Sequence, residues 1–189
     1  MFFSSWDIYN ECMLILCGAS ASGKTVTALN LQKRYGLVKA ITTTTRPLRE
    51  GEKDGVDYFF ITKEEFENRL KEGKFVESSL YNGNYYGCGR DQVDDNKVIV
   101  LDPNGLHSFQ ALNDPRVITV LLLCDSKKRE ERMIGRGDKK EKIEERLKND
   151  QNDFSLDKVQ GVHFVIHTDN KNIDQVADEI YHFYQSQIS

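Results

Sequence analysis

The segment Gly18-Ala19-Ser20-Ala21-Ser22-Gly23-Lys24-Thr25 decides the fold. It satisfies the spacing GxxxxGK[ST]. An apolar run of strand length, 13–17, comes before it, and a helical pattern, 25–35, follows and stops at Gly36. Glycines at these places let backbone N–H groups converge on phosphate oxygens without Cβ clashes. The start of the helix adds its partial positive charge. Residues 18–25 therefore read as a cradle for a nucleoside triphosphate, with Lys24 reaching the β- and γ-phosphates and the Thr25 hydroxyl placed to ligate Mg²⁺. A cradle alone leaves a switch, a motor fragment and a small-molecule kinase equally open.

Working outward, Val/Ile/Leu-rich runs at 37–41, 98–101, 117–124 and 162–166 read as further buried strands of a parallel sheet covered on both faces. Helical patterns alternate with them at 104–113, 126–134 (with Ser126 as its cap) and 173–188, the last with an apolar stripe at Ile173, Val176, Ala177, Ile180 and Phe183. Strand–helix alternation predicts an α/β fold with right-handed crossovers. Residues 42–93 break the rhythm. Short strands at 58–61 and 75–79 bracket a capping box, Thr62-Lys63-Glu64-Glu65, that opens a helix ending before Gly73. Asn82-Gly83 marks a turn. This reads as a small mixed lobe inserted in the sheet.

At 189 residues the chain fits one domain with small insertions. Its 26 Lys plus Arg against 30 Asp plus Glu leave a net charge of −4, which argues against broad nucleic-acid binding. No apolar run approaches the about 20 residues of a membrane span, and the N-terminus lacks the pattern of a signal peptide. Cys12, Cys17, Cys88 and Cys124 lack metal-ligand spacing and read as free thiols of a reducing cytosol. His163 and His167 flank a strand and read as structural or exposed. One asymmetry lies under the net charge: residues 126–148 carry ten basic and six acidic side chains, a local +4 within an acidic chain. On composition alone this is a solvated helix face or a site for a specific anionic ligand.

Further motifs follow in order: Thr42-Thr43-Thr44-Thr45-Arg46-Pro47-Leu48-Arg49, Gly51 to Phe60 with Tyr58, Phe75-Val76-Glu77, Gly83-Asn84-Tyr85-Tyr86-Gly87, Leu101-Asp102 before Asn104-Gly105, and Arg132-Met133-Ile134-Gly135-Arg136-Gly137 with Arg146 beyond. In identity and order, from Met13 to Ile180, they resemble the guanylate kinase family. The resemblance implies a three-layer α/β/α P-loop fold with a parallel central sheet. It divides a single domain into a core (11–41, 96–125 and 150–189), an inserted mixed α+β GMP-binding lobe (42–95) and a helical lid (126–149). It also implies the reaction ATP + GMP → ADP + GDP with Mg²⁺, with dGMP as a further acceptor.

On that reading Arg46 and Arg49 grip the GMP phosphate with their guanidinium forks. Thr42, Tyr58 and Tyr86 add hydroxyl contacts. Glu77 and Asp102 accept hydrogen bonds from guanine N1–H and the N2 amino group, where adenine presents an N1 lone pair. Cys88 stands where the family usually has Ser or Thr against the base. Lys24, Arg132, Arg136 and Arg146 are the catalytic cations, closing over the phosphates with Gly135 and Gly137 beside Arg136 as hinges. Singly, each residue has a plainer role open to it: Arg46 and Arg49 as surface charges, Tyr58 and Tyr86 as packing, Glu77 as a solvated strand residue, Asp102 as a helix cap. Val100 departs from the family by replacing the first Asp of its Asp-x-Asp pair, and the lid is one residue shorter. Two other functions share parts of the pattern: a phosphopeptide-binding guanylate-kinase-like module and a related P-loop kinase acting on a sugar phosphate.

Overall fold

A computed structural model describes residues 12–94, 96–154 and 158–188. The N-terminal segment read above, and residues 95 and 189 that bound the expected lobe and core, lie outside the described residues. The chain runs β1 (Met13–Gly18), α1 (Lys24–Tyr35), β2 (Val38–Lys39), β3 (Thr43–Thr44), β4 (Phe59–Phe60), α2 (Lys63–Lys71), β5 (Phe75–Tyr81), β6 (Asn84–Gly89), β7 (Lys97–Leu101), α3 (Pro103–Ala111), β8 (Val117–Leu123), α4 (Ser126–Gly135), α5 (Lys140–Asp153), β9 (Phe164–His167) and α6 (Ile173–Ile188).

Five strands form a central sheet in the order β2-β7-β1-β8-β9, and every pairing is parallel. Alternation along β1 sends successive side chains to opposite faces. Leu14 and Leu16 pack with Ala28 and Leu31 of α1 and with Val176, Ala177 and Ile180 of α6. Met13, Ile15 and Cys17 pack with Leu106 and Phe109 of α3. Helices therefore cover both faces, and the three-layer α/β/α reading holds. A strand sealed on both sides has no polar face, which is why the sequence shows continuous apolar runs.

The second sheet, in the order β4-β3-β6-β5, is mixed: β3 pairs parallel with β4, while β6 pairs antiparallel with both β3 and β5. Phe66 of α2 stacks on Phe75 and Tyr85 and fills its underside. The four-threonine run supplies β3, where Thr44 Oγ1 donates to the Tyr85 carbonyl at 2.9 Å. The first half of the capping box forms, with Thr62 capping α2 by accepting from the Glu65 N–H, while the Glu65 carboxylate pairs with Arg69 instead.

Several local expectations change, among them the strand expected at 58–61, which is Phe59–Phe60, and the helix expected at 104–113, which is Pro103–Ala111. The strand expected over 37–41 contracts to Val38–Lys39, because β2 is the sheet edge and the chain leaves it at once for the second sheet. The cap of α4 is Asp125, which accepts from the Lys127 N–H, so Ser126 is the first helical residue. The last strand, β9 at the other edge of the central sheet, begins at Phe164 rather than at 162. His163 does prove structural, its Nδ1 accepting from the Thr119 N–H at 3.1 Å. The described cysteines are free thiols, and no described helix is long and apolar enough to cross a membrane.

Candidate active site

One cleft opens where the central sheet's C-terminal edge meets the mixed sheet. From the phosphate loop it is lined by Gly18, Ser20, Ala21, Lys24 and Thr25. From the inserted segment come Thr42, Arg46, Arg49, Tyr58, Glu77 and Tyr86. Asp102 closes the floor, and Arg136 and Arg146 lie across the top. Residues read from seven separate motifs thus share one cavity. Ala19, Ser22 and Gly23 form the turn behind its wall. Cys88 and Arg132 are not brought to it.

The loop's shape follows from its small residues. A Cβ on Gly18 would stand 2.6 Å from the Leu122 carbonyl oxygen and 2.7 Å from Ser22 Oγ, so β1 can press against β8 only with glycine there. Gly23 sits at φ 103 and makes no side-chain cap, which leaves the first N–H groups of α1 free of any side-chain acceptor. Lys24 Nζ donates to the carbonyls of Gly18 (2.6 Å) and Ala19 (2.9 Å). Burial lowers its pKa, opposed by the Cys17 and Asp150 charges. Arg132 braces the loop from outside, donating from Nη1 to the Ala21 carbonyl at 3.0 Å, and Thr168 Oγ1 donates to the Ser22 carbonyl at 3.1 Å.

On the opposite wall, Arg46 is 7% exposed and pairs with Glu52 at 2.8 Å. Its guanidinium lies over the rings of Tyr58 and Phe60. Burial alone would lower the Arg46 pKa; the Glu52 hydrogen bond, added to the charge of Glu52 and the fields of Tyr86 and Tyr58, outweighs it and raises it. The other Glu52 oxygen accepts from the Arg49 N–H at 2.8 Å, so one carboxylate sets both arginines. Sequence reasoning assigned Glu52 no role; its position three residues after Arg49 was the available signal. The Arg49 pKa is lowered by burial and by Arg46, Arg136 and Arg146, so four guanidinium groups converge on one region. Asp138 Oδ2 accepts from Arg136 at 2.6 Å and from Arg146 at 2.6 Å, holding the two cleft arginines together. Tyr58 is edge-on to Tyr86, and burial, reinforced by Tyr86, pushes its hydroxyl up to about 12.

Glu77 is 5% exposed, and its Oε2 is buried with no hydrogen-bond partner. Burial, then the charge of Asp102, pushes its carboxyl up to about 8, against a lowering hydrogen bond from the Cys88 N–H. Asp102 is occupied within the chain: it caps α3 by accepting from the Gly105 N–H at 2.9 Å, and its other oxygen accepts from the Ser79 hydroxyl. The Cys88 thiol points away towards the Gly89 carbonyl at 3.6 Å, and burial and then Glu77 push it up to about 12. Ser79, Tyr81, Arg129 and Asp150 surround this site, and sequence reasoning gave them no role.

For a divalent cation the cleft offers the Thr25 hydroxyl beside the apolar Val100, and no group of three or more His, Cys, Asp or Glu able to hold a metal occurs among the described residues. Such a donor set fits Mg²⁺ carried largely by phosphate oxygens and its own waters.

A glycine-rich cradle at a strand-to-helix turn of a parallel sheet, facing an arginine-lined acceptor wall, defines a P-loop nucleotide kinase. The guanylate kinase family model matches residues 10–187. A guanylate kinase of Anaplasma phagocytophilum is 32% identical over 178 residues, covering 89% of this chain and 83% of that protein. One from Fusobacterium nucleatum is 34% identical over 144 residues, covering 72% and 78%. The crystal structure of guanylate kinase from Anaplasma phagocytophilum superposes with a TM-score of 0.71 at 25% identity, covering 94% of this chain and 86% of that one. The chain belongs to the guanylate kinase family.

Proposed function

We propose that the protein transfers the γ-phosphoryl group of ATP to GMP, and to dGMP, as a nucleoside monophosphate kinase of purine nucleotide metabolism in the cytoplasm. The observation that carries this reading is the single cleft holding the phosphate cradle on one wall and Arg46, Arg49, Tyr58, Tyr86 and Glu77 on the other. Its working parts are the core, the GMP-binding lobe over 42–95 and the lid over 126–149.

The loop N–H groups and Lys24 take the donor phosphates. Arg46 and Arg49, held by Glu52, take the acceptor phosphate. Arg136 and Arg146 lie between, where negative charge spreads in the transition state. Arg132 serves the same centre through its hold on the Ala21 carbonyl. Thr25 would hold Mg²⁺, which supplies charge neutralisation across the donor phosphates. No general base is needed, since the acceptor phosphate is itself anionic near neutral pH. Glu77, with a buried unpaired oxygen, accepts from guanine N1–H and N2–H₂. Asp102 contributes through its field and through the placing of α3, and Thr42 and Cys88 through the wall behind the base.

A coupled assay with GMP, dGMP, AMP, CMP and UMP tests this. Turnover of GMP and dGMP, with AMP lower by on the order of 10³ or more, is expected. Equal turnover of AMP, or none of GMP, refutes it.

A further inference from the structure

The side chain of Asp150 is fully buried, at 0% exposure, although it lies on the highly charged helix α5. A buried carboxylate is costly unless it is paired and hydrogen-bonded. Its partners come from three other elements. Arg129 Nη1 of α4 donates at 2.6 Å. The backbone N–H of Ser20 in the phosphate loop donates at 3.0 Å. The Tyr81 hydroxyl, at the end of β5, donates as well. Arg129 Nη1 also reaches the Ser20 carbonyl at 3.3 Å, so the ion pair holds both polar groups of the Ser20 backbone. The next loop residue, Ala21, takes the unusual φ of 59, which fixed neighbours must sustain.

The connection to the acceptor wall runs through β5. Glu77, Ser79 and Tyr81 are two residues apart along that strand and so share one face. Glu77 and Ser79 lie at the base end of the cleft and Tyr81 at the loop end. A second contact supports the same junction: Asn149 Nδ2, one residue before Asp150, donates to Asn82 Oδ1, one residue after Tyr81, at 2.6 Å.

We propose that Asp150 is a positioning residue that couples acceptor binding on β5 to the phosphate loop, with the Tyr81 hydroxyl as its latch on the acceptor side. Occupation of the Glu77 end fixes β5. β5 fixes Tyr81, and Tyr81 and Arg129 together hold Asp150 on the Ser20 N–H. Each substrate then prepares the site of the other. This rests on the kinase reading above, and two-site coupling is reciprocal by linkage.

The test is calorimetric. Affinity for the non-hydrolysable imido analogue of ATP with Mg²⁺ is measured with and without saturating GMP, together with the thermal midpoint of each variant. In the unaltered chain GMP tightens the analogue about tenfold. Tyr81→Phe removes one hydroxyl and keeps the ring, and reduces the tightening to about twofold or less with the midpoint little changed. The pair Arg129→Leu with Asp150→Ala, which replaces the ion pair by apolar groups, abolishes it. A merely structural junction lowers the midpoint and leaves the tightening intact, and that result overturns the proposal, as does an unaltered chain that binds both ligands without coupling. An unaltered chain that binds the analogue but not GMP refutes the kinase reading itself, and the proposal falls with it.

Discussion

Glu77 and Asp150 are both buried carboxylates met from one face of β5, and their surroundings are opposite. Asp150 is saturated: a guanidinium, a backbone N–H and a phenol all donate to it. Glu77 keeps one buried oxygen without a partner and lies beside a second carboxylate, Asp102. Desolvating a carboxylate costs free energy in both places, but only at Asp150 does the chain offset that cost internally. The difference separates a group that holds the protein from a group kept for a ligand. It also accounts for the pKa of Glu77, raised by burial and then by Asp102 while one oxygen has no donor within the protein.

The comparison breaks most readily at Asp150. Asp150→Ala leaves the Arg129 charge buried and alone, and is expected to cost about 3–5 kcal/mol in urea unfolding. Adding Arg129→Leu is expected to recover most of that loss, bringing the pair within about 1 kcal/mol of the unaltered chain. Additive losses would show that the two residues do not act as one unit.

An effect of opposite kind, spread over several pH units rather than taken in one step, is expected at Glu77. The folded protein keeps a proton on Glu77 up to about pH 8, whereas the unfolded chain releases it near 4.5. Between those values the folded state binds more protons, so stability falls as pH rises. The contribution is complete below about 4.5 and gone above about 8. Its slope is at most about 1.4 kcal/mol per pH unit. Unfolding curves across that window should therefore flatten in Glu77→Gln, and an identical slope in both proteins would contradict the assignment.

The least effect is expected where a charge pair is exposed. Arg69 and Glu65, one turn apart on α2, meet at 2.5 Å with side chains 36% and 49% exposed. Arg69→Ala is expected to change stability by about 0.5 kcal/mol or less. A larger loss would mean that burial is the wrong measure for ranking these pairs.

The two carboxylates also differ in how far the sequence discloses them. The phosphate loop is legible because its chemistry demands fixed residue types at fixed local spacing. Glu77 and the arginines at 46 and 49 are legible through motif order. Asp150 is not: its partners lie 21, 69 and 130 residues away, and in sequence it is one charge among many on a mixed-charge helix. The basic segment illustrates both outcomes. Arg136 and Arg146 do face the cleft, whereas Arg132 braces the loop from behind and Arg129 is consumed by an internal pair. The edge strand at 37–41 shortens because periodicity records burial but not where a sheet ends. Asp102 is the helix cap weighed for it and also lines the cleft, with its second oxygen accepting from Ser79 rather than left unpartnered for a base.

The most direct measurement is kcat/KM for GMP and for AMP in the unaltered chain and in Glu77→Gln. A carboxylate that reads guanine predicts a preference for GMP on the order of 10³ or more, reduced about 10²-fold or more by the amide, with the loss carried by GMP and not by ATP. Equal use of AMP by the unaltered chain, or unchanged GMP kinetics in Glu77→Gln, would contradict the account.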